Sequence, residues 1–194
     1  YAFLADLYAD FLPLFRSGHF NAGCDEVFDL GQGRSRPAAR RIGVGALFAN
    51  HVIKLQKLAA RHGKRIQIWS DMARQIPEVP DLLPPDITML NWVYDRTGIP
   101  EHPWIFEGGR RFRAKGFELW GAPGVHNWGS LLTRHYTAAR NIRDHAAALV
   151  RLGGQGLLNT DWNEIGPPRL PGTGFHGYVL GAAESWSPGA LSEA

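Results

Sequence analysis

The chain reads as an α/β protein of parallel strand–helix units. Its apolar residues switch repeatedly between a period of two and a period of 3.6, and helical stretches of roughly 10 to 20 residues separate the strands. Two architectures satisfy that alternation: a doubly wound open sheet and a (β/α) barrel, both joined by right-handed crossovers. No Gly-x-Gly-x-x-Gly turn follows the first strand. Nearly every strand instead ends in a polar and aromatic cluster: Cys24-Asp25-Glu26, Trp69-Ser70-Asp71, Asn91-Trp92-Val93-Tyr94, His126-Asn127-Trp128 and Asp161-Trp162-Asn163-Glu164. Catalytic residues of a barrel come from the C-terminal ends of several strands facing one mouth, so the pattern favours the barrel. A whole barrel takes about 250 residues. These 194 supply about five strands, so the expected fold is a partial (β/α)8 TIM barrel lacking about three units.

The elements follow in order. Tyr1 to Phe15 is apolar, but Asp6 and Asp10 interrupt it and no basic segment precedes it; an amphipathic helix is expected rather than a signal peptide. His19 to Asp25 is the first strand. Val44, Leu47, Phe48, Val52, Leu55 and Leu58 predict a helix over 44–62 that stops at Gly63. Arg65 to Asp71 then alternates as a strand, with Ile66 and Ile68 on one side and Gln67, Trp69 and Asp71 on the other. Ala73 to Leu83 is a short helical piece limited by proline, Asp86 to Tyr94 a strand, and Trp104 to Lys115 a helix ending at Gly116. Phe117 to Gly121 is a strand, Arg134 to Leu152 a helix stopping at Gly153-Gly154, Gly156 to Asp161 a strand, and Gly174 to Trp186 the last helix.

Composition narrows the function. With one cysteine, Cys24, neither a disulfide-stapled miniprotein nor a multi-cysteine zinc module can be built. The formal charge is +3, but 21 basic residues interleave with 18 acidic ones without a basic stripe, so a nucleic-acid partner is not expected. No window approaches the ~20 apolar residues of a transmembrane helix, so the expectation is a soluble protein, cytoplasmic or secreted, with no membrane partner. His19 and His51 read as packing or surface groups, and no His-Glu-x-x-His occurs; no metal or organic cofactor is expected. Arg34, Arg36, Arg40 and Arg41 lack the Lys-Ser/Thr of a nucleotide-binding loop and read as a solvated helix entry.

The sharpest local signal is Asp25-Glu26 at the end of the first strand. Neighbours on a regular strand point to opposite faces, so both carboxylates can serve one cavity provided the strand has ended and the backbone turns there. Two close carboxylates cannot both ionise freely, which pushes one towards the raised pKa of a general acid. The alternative is a helix cap beside a solvated loop acid. Seven tryptophans in 194 residues is heavy usage, and Trp69, Trp92, Trp128 and Trp162 all fall at strand ends. Sugars stack on such faces, although a single Trp also serves as core.

Gly23-Cys24-Asp25-Glu26-Val27 at a strand end, followed by Ile68-Trp69-Ser70-Asp71, Trp92 and Trp162-Asn163-Glu164, resembles glycoside hydrolase family 20, the β-N-acetylhexosaminidases. The resemblance covers essentially the whole chain. It implies that 1–194 is the C-terminal portion of one catalytic barrel domain, from the helix after the third strand through strands four to eight, needing the N-terminal strands for a complete site. It also implies a retaining reaction in which the substrate's own 2-acetamido oxygen attacks the anomeric carbon. Glu26 would protonate the leaving oxygen and later activate water, and Asp25 would orient the acetamido group. Trp69, Trp92 and Trp162 would wall the pocket, with Asp161 beside them, and Glu164 would bind outer hydroxyls. The substrate would carry a terminal N-acetylhexosamine.

Three departures bear on detail. Cys24 stands where a second Gly is usual, which reads as a neutral packing change. Trp128 and Ser130 occupy positions where the family often has Tyr and Asp, so the acetamido oxygen would be met by the Trp128 indole or by Tyr94. A classical retaining glycosidase would instead use Asp71, Asp161 or Glu164 as nucleophile with Glu26 as acid. A non-catalytic carbohydrate-binding barrel would keep the Trp walls alone.

Overall fold

The computed structural model describes residues 1–94, 103–162 and 170–189. Five parallel strands, β1 (His19–Asn21), β2 (Arg65–Trp69), β3 (Thr88–Trp92), β4 (Glu118–Ala122) and β5 (Gly156–Leu157), form one sheet in sequential order. The helices are α1 (Ala2–Phe11), α2 (Arg36–Ile42), α3 (Val44–Ala60), α4 (Asp71–Gln75), α5 (Val79–Leu82), α6 (Pro103–Ala114), α7 (His135–Leu152) and α8 (Phe175–Trp186). Neighbouring strands joined through helices, in the order of the chain, are the signature of a (β/α) barrel segment. The chain divides into two compact units, Tyr1–Met89 with Lys115–Glu118, and Leu90–Ala114 with Leu119–Ala194.

In the first unit β1 and β2 pair in register, Phe20 opposite Ile66 and Asn21 opposite Gln67. Helix α3 packs on β2, and Phe48, Val52, Leu55 and Leu58 of the predicted stripe are buried, as are Ile66 and Ile68, whereas Val44 at the start of the helix is exposed and Leu47 half-buried. Each such fully buried aliphatic side chain contributes about 1.5–3 kcal/mol of transfer free energy. The helix ends at Ala60 rather than at 62, and the turn after it reaches Gly63, where φ of +68° suits glycine.

Several boundaries differ from the sequence expectation. The first strand ends at Asn21 rather than Asp25, because Gly23 and Cys24 turn the backbone into the left-handed region. Asp71 is not the last residue of β2; Ser70 already has helical angles (φ −90°, ψ −4°), and Asp71 opens α4, where a carboxylate suits the helix dipole. The piece expected over 73–83 is split into α4 and α5, with Pro80 in the first turn of α5. The strand expected over 156–161 pairs at Trp120–Gly156 and Gly121–Leu157, then by a single bridge between Gly124 and Thr160.

In the second unit α7 packs against α6 and α8. Its buried Asn141 ties two strand ends together: Nδ2 donates to Val93 O (2.7 Å), and Oδ1 accepts from Gly124 N (2.9 Å). His145 Nε2 also lies 3.1 Å from Val93 O. Asn141→Leu keeps the shape but leaves the Gly124 N–H without its Asn141 acceptor, which costs about 1–3 kcal/mol for a buried group. The expected result is a lowered urea midpoint at unchanged m-value; a midpoint equal to wild type contradicts this role.

Candidate active site

The first unit holds the carboxylates. Asn21 Oδ1 accepts from Gly23 N (2.8 Å), Gln67 O from Ala22 N (2.9 Å), and Gly23 O from Trp69 N (3.0 Å), so the end of β1 is fastened to β2. Beyond that point φ is +72° at Gly23, +71° at Cys24 and +48° at Glu26. The turn supplies the condition under which adjacent acids escape strand alternation. Left-handed angles at non-glycine residues cost about 1–3 kcal/mol each and persist where surroundings hold them. Here Asp71 Oδ2 accepts from the main-chain N–H of Glu26 at 2.9 Å, and Asp71 is 1% exposed. Asp25 and Glu26 themselves are exposed, and Trp69 is buried at the end of β2.

The Asp25 carboxyl, exposed yet partly desolvated by its surroundings, is held above the usual range first by that desolvation; its own main-chain N–H acts in the opposite sense, and the Asp71 charge adds to the rise. Burial, then Asp25 and Asp71, push the Cys24 thiol up to about 12. Its Sγ–H faces Ala22 O at 3.5 Å. Cys24 is therefore not the neutral packing residue that the sequence suggests. The residue occupies a left-handed position that glycine would take without strain.

The second unit holds the aromatic cluster. Tyr94 packs on Trp92 (ring centroids 5.3 Å apart) and edge-on against Trp128 (5.0 Å), and Trp128 stacks on His126 (4.9 Å, 25° between planes). Trp162 Nε1 donates to the Tyr94 hydroxyl (2.8 Å). Thr160 Oγ1 lies 3.1 Å from that hydroxyl and 2.9 Å from Pro123 O. A carbonyl can only accept, so Thr160 gives its proton to Pro123 and its oxygen faces Tyr94 as an acceptor. A ligand that took the Tyr94 proton would compete with Thr160. Asp161 accepts from the Tyr178 hydroxyl on α8. Asn127 Oδ1 accepts from Thr133 Oγ1 (2.6 Å) and Thr173 Oγ1 (3.1 Å), anchoring the loop after β4.

The structure thus brings Asp25, Glu26 and Asp71 together in one unit and Trp92, Tyr94, Trp128 and Trp162 together in the other. Glu164 lies outside the described residues. His126 and Thr160 were not singled out as site residues by sequence; His126, 1% exposed at φ +53°, carries the Trp128 ring. Among the described residues no group of three or more His, Cys, Asp or Glu could hold a metal ion, and no helix is long and apolar enough to cross a membrane.

No protein-family model matches the sequence, and no curated protein matches it. Solved structures do. An exo-β-N-acetylglucosaminidase of glycoside hydrolase family 20 from Vibrio harveyi, in complex with N-acetylglucosamine, superposes with a TM-score of 0.64 at 13% identity, over 100% of this chain and 32% of that one. A β-N-acetylhexosaminidase superposes at 0.64 with 16% identity over 98% of this chain and 43% of its own. The enzyme from Bacteroides fragilis NCTC 9343 gives 0.53 and 16%, over 95% and 43%. The chain shares the fold of the matching part of these β-N-acetylhexosaminidase structures. The chain spans less than half the length of these structures.

Cys24 gives a direct check on the geometry of the strand end. A thiol with a pKa near 12 has about 10³-fold less thiolate at pH 8 than an unperturbed cysteine. The stronger nucleophilicity of a high-pKa thiolate offsets part of its scarcity, so alkylation by iodoacetamide at pH 8 is expected to be slower than that of glutathione by about 10²; comparable rates contradict the arrangement described for Cys24, Asp25 and Asp71.

Proposed function

We propose that this chain is the second part, strands four to eight, of one catalytic barrel domain that removes terminal N-acetyl-β-hexosamine residues with retention, using the substrate's acetamido group as nucleophile. The observation that carries this reading is the turn after β1, which frees Asp25 and Glu26 from strand alternation in a chain with the family 20 fold. Glu26 donates its proton to the leaving glycosidic oxygen as the acetamido oxygen bonds to the anomeric carbon. The oxazolinium ion so formed carries positive charge on nitrogen, which ionised Asp25 stabilises by a charge-assisted hydrogen bond. Glu26, now a carboxylate, takes a proton from the water that opens the ring.

Trp69, Trp92 and Trp162 wall the sugar, with Asp161 and Glu164 binding its hydroxyls, and Trp128 or Tyr94 meeting the acetamido oxygen. No metal or organic cofactor takes part. Engagement of two of the three alternative nucleophiles supports this reading over a protein nucleophile: Asp71 receives the Glu26 N–H, and Asp161 the Tyr178 hydroxyl. The site is completed by further barrel strands. Apolar residues exposed on α1 (Phe3, Leu7, Phe11) and on α8 (Phe175, Val179, Trp186) support that, since such stripes mark a surface that another element covers.

The test is hydrolysis of an alkyl N-acetyl-β-glucosaminide, whose leaving oxygen must be protonated, by the full-length protein. Glu26→Gln and Asp25→Asn are each expected to lower kcat/KM by about 10²–10⁴, and the plain β-glucoside is expected not to turn over. Hydrolysis of both sugars, or wild-type rates in both variants, would assign the barrel to another glycosidase or to a binding protein. Asp25 acts ionised and its pKa is raised, so activity falls as pH drops through that raised value. The acid limb of kcat/KM is expected above the ordinary aspartate pKa of about 3.9; a limb at or below it contradicts the role.

A further inference from the structure

We propose that Asp71 is the positioning residue of this site: by accepting the main-chain N–H of Glu26, its carboxylate fixes the turn that presents Glu26 as a general acid. This presupposes the function proposed above and goes beyond the Asp25-Glu26 pair itself.

The case begins with the backbone. Cys24 and Glu26 both hold φ values that non-glycine residues avoid, so an unrestrained chain relaxes there to right-handed or extended angles. A side chain leaves the backbone along the Cα–Cβ bond, so relaxation at Glu26 swings its carboxyl away. The Asn21, Gln67 and Trp69 bonds secure the chain as far as Gly23. The Asp71 carboxylate reaches past them to Glu26 itself, across 45 residues of sequence.

Asp71 is suited to the task. It is 1% exposed, and it sits at the junction of β2 and α4, where the preceding strand and the Ser70–Arg74 main-chain bond (2.9 Å) leave it little freedom. An N–H bonded to an ionised carboxylate is roughly twice as strong as a neutral pair. Asp71 does not need to touch substrate; it acts through Glu26.

A positioning role for a general acid has a signature that general disruption lacks, because its effect depends on how much protonation the leaving group requires. The experiment compares kcat/KM of the full-length protein on two N-acetyl-β-glucosaminides, one with a methyl and one with a 2,4-dinitrophenyl leaving group. This parameter reports glycosidic cleavage before the intermediate opens. Asp71→Ala is expected to lose about 10² on the methyl glycoside and less than about threefold on the dinitrophenyl one, in the same pattern as Glu26→Gln. Asp71→Asn keeps an oxygen acceptor and is expected to stay within about tenfold of wild type on both. Equal loss on both substrates, or no loss on either, overturns the role.

Amide hydrogen exchange provides a measure independent of turnover. Asp71→Ala is expected to speed exchange across residues 24–30 at least tenfold while leaving β2 and α3 unchanged. Unchanged exchange at Glu26 overturns the proposal. If Glu26→Gln itself shows no dependence on leaving group, the catalytic reading of the pair fails. The exchange result still decides whether Asp71 holds the turn.

Discussion

A hydrogen bond from the Glu26 main chain to the buried Asp71 carboxylate joins the two strand ends on which the proposed chemistry turns. Two adjacent acids on a strand are of little use to one substrate, since they face opposite ways. The chain resolves this by ending β1 at Asn21 and passing through left-handed angles at Gly23, Cys24 and Glu26. That conformation is unfavourable for Cys and Glu, and the first unit holds it by registering β1 against β2 and placing Asp71 directly after β2. The regular βα framework thus supports an irregular turn, and the turn carries the acids.

The second unit follows a similar logic with different groups. Asn141 and His145 on α7 reach the carbonyl of Val93, and Asn141 also takes the N–H of Gly124. Tyr94, which follows Val93, then meets Trp92, Trp128 and Trp162 through ring contacts and a hydrogen bond that satisfies the indole nitrogen. The paired Asn141 amide sets these directions within a buried apolar core that includes Ile105, Phe112 and Ile142. Aromatic walls of this kind can exclude water and stack on a sugar ring.

Much of the framework is legible in the sequence because it rests on local periodicity. The stripe of Phe48, Val52, Leu55 and Leu58 specifies α3, Gly153 caps α7, and Gly63 lies in the turn just beyond α3. The ends of strands are harder to read. Asp71 continues the alternation of Gln67 and Trp69, yet it opens α4, because main-chain bonding after Ser70 outweighs the pattern. The residues after Leu157 have strand-like composition but little pairing beyond the Gly124–Thr160 bridge.

Within the site, the residue types at strand ends pointed to Asp25, Glu26 and the tryptophans, while their support did not announce itself. Left-handed angles at Cys24 and His126 follow no composition rule, since neither is glycine. The Asp71–Glu26 bond is a tertiary contact with no local signature. A Trp-Ser-Asp run at a strand end was the available hint that Asp71 belongs with the acids.

The most direct test of the mechanism is a crystal structure of the full-length protein with N-acetylglucosamine-thiazoline, a stable mimic of the oxazolinium intermediate. If Asp25 stabilises that intermediate and Glu26 serves as acid and base, the thiazoline nitrogen lies within hydrogen-bond distance of the Asp25 carboxylate, and the Glu26 carboxyl faces the anomeric carbon. A thiazoline that fails to bind, or that binds with its nitrogen away from Asp25, contradicts substrate-assisted catalysis by this pair.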